Sequence, residues 1–251
     1  MKKIYKKYLS ICGVKYWLAY IIATLLINAI GRFAHINRQV IGTACLKDYI
    51  ITFNFRIASQ IFIPSVSFFM LVYLIRMFDD NRVVRFVNIR MYYVKLLAGC
   101  IMVCTLCLTT SYVLILLSGL IYSGYIVDNW GEMDSFAYNM YGEMLSDISF
   151  FRILTAVFIV WFLIEFINIE LCIIIHRFSN SWIIGYIICQ FINFCMCLEI
   201  GKNKYIDFFI NYSVYRNGWN SSSVLPLVVG GSIGFVFIML MGKADNLRKR
   251  I

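Results

Sequence analysis

The run LLAGCIMVCTLCLTTSYVLILLSGLIYSGYIV, Leu96–Val127, is 32 residues long and contains no Asp, Glu, Lys or Arg. About 20 apolar residues at 1.5 Å each cross the hydrocarbon core of a bilayer, and this run exceeds that length. The sequence predicts a span over about 96–122 here. Working outward by marking charges gives five more. Tyr16–Gly31 supports a first span over about 16–33, and Ile57–Ile75, uncharged between Arg56 and Arg76, a second over 57–76. Phe150–Ile175, interrupted by Arg152, Glu165 and Glu170, gives a fourth over 150–175. Phe178–Leu198 and Asn217–Gly242 give the fifth and sixth, over 181–200 and 223–242. The expected fold is all-α: one polytopic transmembrane domain over 1–251 with six transmembrane helices.

Composition agrees. Of 251 residues, 61% are hydrophobic and 14% charged, against roughly 45–50% and about 25% in soluble domains. A domain of this size still has to cover itself with polar surface, so the apolar surplus must face lipid. A soluble enzyme, a disordered chain and a small disulfide scaffold are excluded. The cysteines Cys100, Cys104, Cys107, Cys172, Cys189, Cys195 and Cys197 lie in apolar runs, where they pack as small hydrophobes. The Cys104-x-x-Cys107 spacing therefore reads as packing, not as redox or metal chemistry.

Net charge is +10, from 23 Lys and Arg against 13 Asp and Glu. With cytoplasmic ends, the inner side carries Lys2, Lys3, Lys6, Lys7, Lys15, Arg76, Arg82, Arg85, Arg90, Lys95, Arg177, Lys243, Arg248, Lys249 and Arg250. The loop from Ser123 to Ser149 has no cation and carries Asp128, Glu132, Asp134, Glu143 and Asp147. The positive-inside rule thus puts both termini in the cytoplasm of a multi-pass plasma-membrane protein. The basic balance serves lipid and a protein partner, with no nucleic acid implied. The first span is read as retained, because its cationic lead is long for a cleaved signal. Residues 1–15 read as an interfacial helix, with Ile4, Tyr5, Tyr8, Leu9, Ile11 and Cys12 opposite Lys2, Lys3, Lys6 and Lys7. An ordinary positive-inside flank is the alternative.

Catalytic motifs are missing. Gly201-Lys202 and Gly242-Lys243 lack the upstream glycine and the following Ser or Thr of a phosphate-binding loop. The two histidines, His35 and His176, do not build a metal centre or a protease site at these spacings. Hence no catalytic residue, metal ligand or cofactor is assigned to this chain. Gly230-Gly231-Ser232-Ile233-Gly234 lies in the last span, where small residues allow close helix contact. Glu165, Asn168, Cys172 and His176 share one helical face. Glu165 and Glu170 are candidates for a proton relay or for a buried ion pair with Arg76 or Lys95.

After span two comes Met77–Lys95, in which Asp79 and Asp80 favour a helix N-terminus. Val83, Val84, Val87, Met91 and Val94 gather on one side, while Arg82, Arg85 and Tyr92 point elsewhere. This reads as a short amphipathic surface helix or as a plain positive-inside loop.

Six spans, an N-terminal interfacial helix and Val83-Val84-Arg85-Phe86, followed by Arg90, Tyr92, Tyr93 and Lys95, resemble the membrane subunits of type-2 ABC exporters. The chain is similar to short permeases that work with separate ATPases in Gram-positive lantibiotic or bacteriocin export and immunity, and in export of phenol-soluble modulins. The resemblance implies a cytoplasmic coupling helix over Asp79–Arg90, so that Asp79, Asp80, Arg82, Arg85, Phe86 and Arg90 meet the ATPase. His176 and Arg177, in the loop to Asn180, supply a second contact. Spans two and five would line the path, with Ser59, Gln60, Ser65, Ser67, Gln190 and Asn193 as its polar members; interhelical hydrogen bonding explains these equally well. Residues 201–222 would form an external re-entrant element. The implied partners are two ATPase copies binding ATP and Mg, a second permease copy and a hydrophobic or amphipathic peptide. Two other readings stand beside it: a secondary transporter or channel using Glu165, Glu170 and His176, and a membrane immunity or scaffold protein that moves nothing.

Overall fold

A computed structural model gives the architecture and describes residues 14–31, 43–52, 68, 71–72, 74–75, 89–141, 149–197 and 221–248. Among them lie seven helices: α1 (Val14–Gly31), α2 (Leu46–Thr52), α3 (Ile89–Tyr122), α4 (Phe136–Tyr141), α5 (Phe150–Ser179), α6 (Trp182–Cys197) and α7 (Ser221–Arg248). The described residues contain no strand; Thr43 and Ser135 form an isolated parallel bridge. Among the described residues, two helices are long and apolar enough to cross a membrane, Met91–Tyr122 within α3 and Phe150–Ser179, and the shorter apolar segments are Trp17–Leu26, Trp182–Asn193 and Leu227–Gly242. These helices are compatible with a membrane location.

Local chemistry explains the long helices. In α3 the hydroxyls of Thr105, Thr109, Thr110 and Ser118 donate to the carbonyls of Ile101, Thr105, Leu106 and Leu114, four residues back. Their polar atoms are thereby satisfied inside the helix, as an apolar surrounding demands. The helix stops where Gly124 and Tyr125 turn left-handed, with φ 60° and 69°. α5 starts on Ser149, whose side chain accepts from the Arg152 N–H, and ends on Asn180, left-handed at φ 56°, whose N–H donates to His176 O at 2.8 Å. Asn tolerates that cap conformation better than most residues. Consequently α5 and α6 form a tight hairpin, with His176 and Arg177 in the last turn of α5. The expected loop from His176 to Asn180 is thus mostly helix.

α5 is the hub. It packs most extensively on α6 and α7, and also on α3 and α2; α3 in turn packs on α1, α2 and α7. Tyr112 of α3 meets Phe158 of α5, while Cys100 lies near Cys172, so these two helices run antiparallel. α6 is antiparallel to α5, since Cys172 meets Trp182 and Asn168 meets Asn193. Gly231 lies on Phe166 and Gly234 on Glu170, so α7 runs parallel to α5. The apolar residues Leu18, Ile22, Leu25 and Leu26 on α1, Val113, Leu117 and Ile121 on α3, Ile183, Ile187 and Phe191 on α6, and Ile233, Val236 and Leu240 on α7 all face outward.

The helix beginning at Val14 runs through Lys15 and Tyr16 without a break, and α3 begins at Ile89, which places Arg90 in its first turn. Residues 1–13 of the expected interfacial helix, residues 79–88 of the expected coupling segment, and 201–220 lie outside the described residues. So do Ser59, Gln60, Ser65, Ser67, Asp79, Asp80, Arg82, Arg85 and Phe86. Of the expected second span, Phe68, Leu71, Val72, Leu74 and Ile75 are described, and all five are helical.

Candidate functional site

Polar side chains collect where α1, α3, α5 and α6 converge. Tyr20 of α1 is buried, donates its O–H to the Cys107 carbonyl at 3.2 Å, and lies 2.6 Å from Ser111 Oγ. If Tyr20 donates to the carbonyl, Ser111 donates to Tyr20, and both hydroxyls are used. Glu165 of α5 is fully buried in the same region, within electrostatic reach of Tyr20, Cys104, Tyr186 and Cys189. One turn on, Asn168 Oδ1 accepts from Asn193 Nδ2 at 3.2 Å, and the Cys189 thiol donates to Asn168 O at 3.5 Å. The helical period brings Glu165, Asn168 and Cys172 to one face, and α6 covers it.

α6 comes this close because Gly185 has no side chain. A Cβ there would lie 3.0 Å from Cys172 O and 3.1 Å from its Sγ. Farther along the same face, His176 stacks on Trp182, with ring centroids 3.7 Å apart and planes 7° from parallel. Arg177 and Phe178 are exposed at that end of the hairpin.

The structure therefore brings together three predicted residues around Asn168, namely Glu165, Gln190 and Asn193, while His176 lies two turns farther along the same face against Trp182. Gln190 and Asn168 are the polar members of a small pocket otherwise lined by Leu71, Leu74, Ile169, Cys172, Tyr186 and Cys189. Its room of about 10 Å³ is near the minimum for one water and far from that for a peptide side chain. Glu170 is not part of this group, because five residues turn it about 140° from Glu165. It is buried against Gly234 of α7.

A second cluster lies at the opposite end of the bundle from the His176–Trp182 stack, and sequence reading missed it. Lys47 of α2 is fully buried, ion-paired with Asp128, and sits 5.1 Å from the centre of the Trp130 ring. Asp48 beside it accepts from Trp130 Nε1 and from the Cys45 N–H, each at 2.8 Å. Asn129 Nδ2 donates to Thr43 O at 2.8 Å and to Thr43 Oγ1 at 3.0 Å. Backbone bonds from Thr43 N to Asp134 O, Phe136 N to Thr43 O and Leu46 N to Ile126 O complete the junction. Below it, Leu46 and Tyr49 rest on Gly119 of α3.

Burial raises the Asp48 carboxyl from the ordinary 3.8 to about 6, with its two donors acting in the opposite sense. Burial, and then Asp48, push the Cys45 thiol up to about 12. Cys45 is accordingly an inert, protonated thiol at neutral pH. The signal in the sequence was a Lys-Asp pair isolated in the apolar stretch Cys45–Ile50, facing an Asp-Asn-Trp turn.

Among the described residues no group of three or more His, Cys, Asp or Glu is placed to hold a metal, and Cys45, Cys100, Cys104, Cys107, Cys172 and Cys189 are buried free thiols. What the buried seam offers chemically is hydrogen bonding and proton exchange among hydroxyl, carboxyl and amide groups. No protein family, curated protein or solved structure matches the chain.

Proposed function

We propose that the chain is the membrane subunit of an ATP-driven, type-2 ABC exporter for hydrophobic or amphipathic peptides, serving toxin export or immunity. Its six spans cross the plasma membrane with both termini in the cytoplasm. It works with a second permease copy and two separate ATPase chains, which bind ATP and Mg and perform the hydrolysis. The chain itself is not an enzyme.

The observation that carries the membrane part is the distribution of polarity. Leu18, Ile22, Leu117, Ile187, Phe191 and Ile233 point outward, while Glu165, Asn168, Glu170 and Asn193 are buried. Water would favour the reverse arrangement, and lipid favours this one. The alternating directions of α3, α5 and α6, with α7 parallel to α5, suit a serpentine path. In that arrangement the exposed Lys95 and Arg177 share one end, and Asp128, Glu132 and Asp134 the other. This charge asymmetry supports a cytoplasmic His176–Trp182 end.

The transport part rests on the resemblance carried by Val83–Lys95. Supporting it, Arg177 and Phe178 stand exposed on the hairpin end where a second ATPase contact is expected. Affinity purification of the chain from its native membranes tests it. An ATPase should co-purify with the chain and be lost when Arg82, Arg85 and Phe86 are changed together to Ala.

The buried seam favours one other reading, an ATPase-independent transporter. In that case purified chain in liposomes transports alone and stops on Glu165→Gln.

A further inference from the structure

Glu170 is 2% exposed, yet its Oε1 accepts no hydrogen bond, and Oε2 lies against the backbone of Gly234. Asp48, by contrast, receives two N–H donors. From Ser221 to Gly242, α7 carries no titratable side chain. Of the helices packed on α7, α3 carries Lys95, Cys100, Cys104, Cys107 and Tyr112, while α6, packed on another side of α5, carries Tyr186 and Cys189. Glu165 lies on another face of α5 itself. Among the described residues none of these acts electrostatically on Glu170.

We infer that Glu170 is a buried proton-binding site at the α5–α7 crossing, its carboxyl held neutral against Gly234 and its ionisation driving the two helices apart. An ionised carboxylate in an apolar site without a cation or donors costs several kcal/mol, and a neutral acid far less. The carboxyl occupies the space a side chain at position 234 would take: a Cβ there would overlap Glu170 Oε2 and lie 2.9 Å from its Cδ, so the carboxyl would have to shift. Gly230 and Gly231 continue the contact over Ile167 and Phe166. Once ionised, the carboxylate must recruit water or a cation, which reaches Oε1 only as the crossing opens. The ligand is therefore a proton, and the element it biases is the seat of α7 on α5. The inference requires both helices to lie in an apolar phase, so it rests on the membrane part of the proposed function and not on the ATPase part.

The test uses the full chain in lipid nanodiscs and the apolar reagent dicyclohexylcarbodiimide. A protonated carboxyl adds across one C=N bond of this reagent to give an O-acylisourea, which rearranges to a stable N-acylurea with no group leaving. Peptide mass mapping should find the adduct on Glu170 at neutral pH, with labelling falling about tenfold per pH unit above the midpoint of the acid. A water-soluble carbodiimide should leave Glu170 untouched. Glu170→Gln, neutral and of the same shape, should lose the adduct, keep the fold, and show a smaller fall in thermal stability above about pH 7 than the unmodified chain, the fall at lower pH belonging to Asp48. A lipid-phase photoreactive probe is applied in parallel to α5 and α7. If both helices take up that probe while Glu170 stays unlabelled, or is labelled equally from about pH 5 to about pH 9, the proton site is overturned. If neither helix takes up the probe, the membrane reading falls and the inference with it.

Discussion

The indole N–H of Trp130 donates to Asp48 Oδ1 at 2.8 Å, joining two segments 82 residues apart in the chain. Around this bond the segment 43–52 and the turn after α3 become one unit on Gly119. The unit buries Lys47, Asp48 and Trp130 together. Each of the three has its partner there: the Lys47 ammonium the Asp128 carboxylate, the Asp48 carboxylate its N–H donors, and the indole N–H the Asp48 oxygen.

The Lys47–Asp128 pair should respond asymmetrically to substitution. Asp128→Ala removes the carboxylate from a fully buried ammonium, whereas Lys47→Met leaves Asp128, with its side chain 44% exposed, to water. Thermal or denaturant unfolding in detergent should show a loss of about 3 kcal/mol for the first and about 1 kcal/mol or less for the second. Equal losses would mean that the ammonium finds compensation elsewhere.

Asp48 gives the junction a pH dependence with a definite sign. Its carboxyl is raised from 3.8 to about 6 in the folded chain, so the folded state holds the proton more tightly than the unfolded one. The stability it contributes is full below about pH 4 and is lost as pH rises through about 6, a change on the order of 3 kcal/mol. Unfolding midpoints between these values should fall with rising pH, and Asp48→Asn should flatten that slope.

At the α5–α6 hairpin, Gly185→Ala should force the helices apart. The added carbon would meet the Cys172 carbonyl at 3.0 Å, and backbone cannot rotate away as a side chain can. A loss of about 1–3 kcal/mol is expected, together with weakening of the Asn168–Asn193 bond. Infrared shifts of the side-chain amides report the latter.

Gly234→Ala should be destabilising by a similar amount, and less so in a chain that also carries Glu170→Ala. The coupling in such a double-mutant cycle measures the contact directly. Strict additivity would show that the carboxyl moves aside freely.

Much of the helical plan was legible from charge spacing. Tyr122 closes α3 where the uncharged run reaches its first turn glycine, and Phe150 opens α5 directly after Ser149. The helical period also grouped Glu165, Asn168 and Cys172. What sequence could not supply was the partner on each face. Glu165 and Glu170 look alike as acids in an apolar run, and 140° of helix rotation sends one to α6 and the other to α7. Lys47 and Trp130 were missed for a different reason: their junction pairs residues more than 80 positions apart, and no local pattern encodes such a contact. The ends of α1, α3 and α5 extend past the expected spans because Val14–Lys15, Ile89–Lys95 and His176–Ser179 contain no helix breaker. A charge ends an apolar run without ending a helix.

If a cytoplasmic ATPase drives the chain through residues 77–95, as proposed, its own turnover depends on that segment. The most direct measurement is ATP hydrolysis by the partner ATPase, co-reconstituted with the chain in nanodiscs, with and without an amphipathic helical peptide. The peptide should raise hydrolysis several-fold with the unaltered chain and leave it at the basal rate when Arg82, Arg85 and Phe86 are all changed to Ala. Hydrolysis that responds to neither the peptide nor the triple substitution would contradict that dependence.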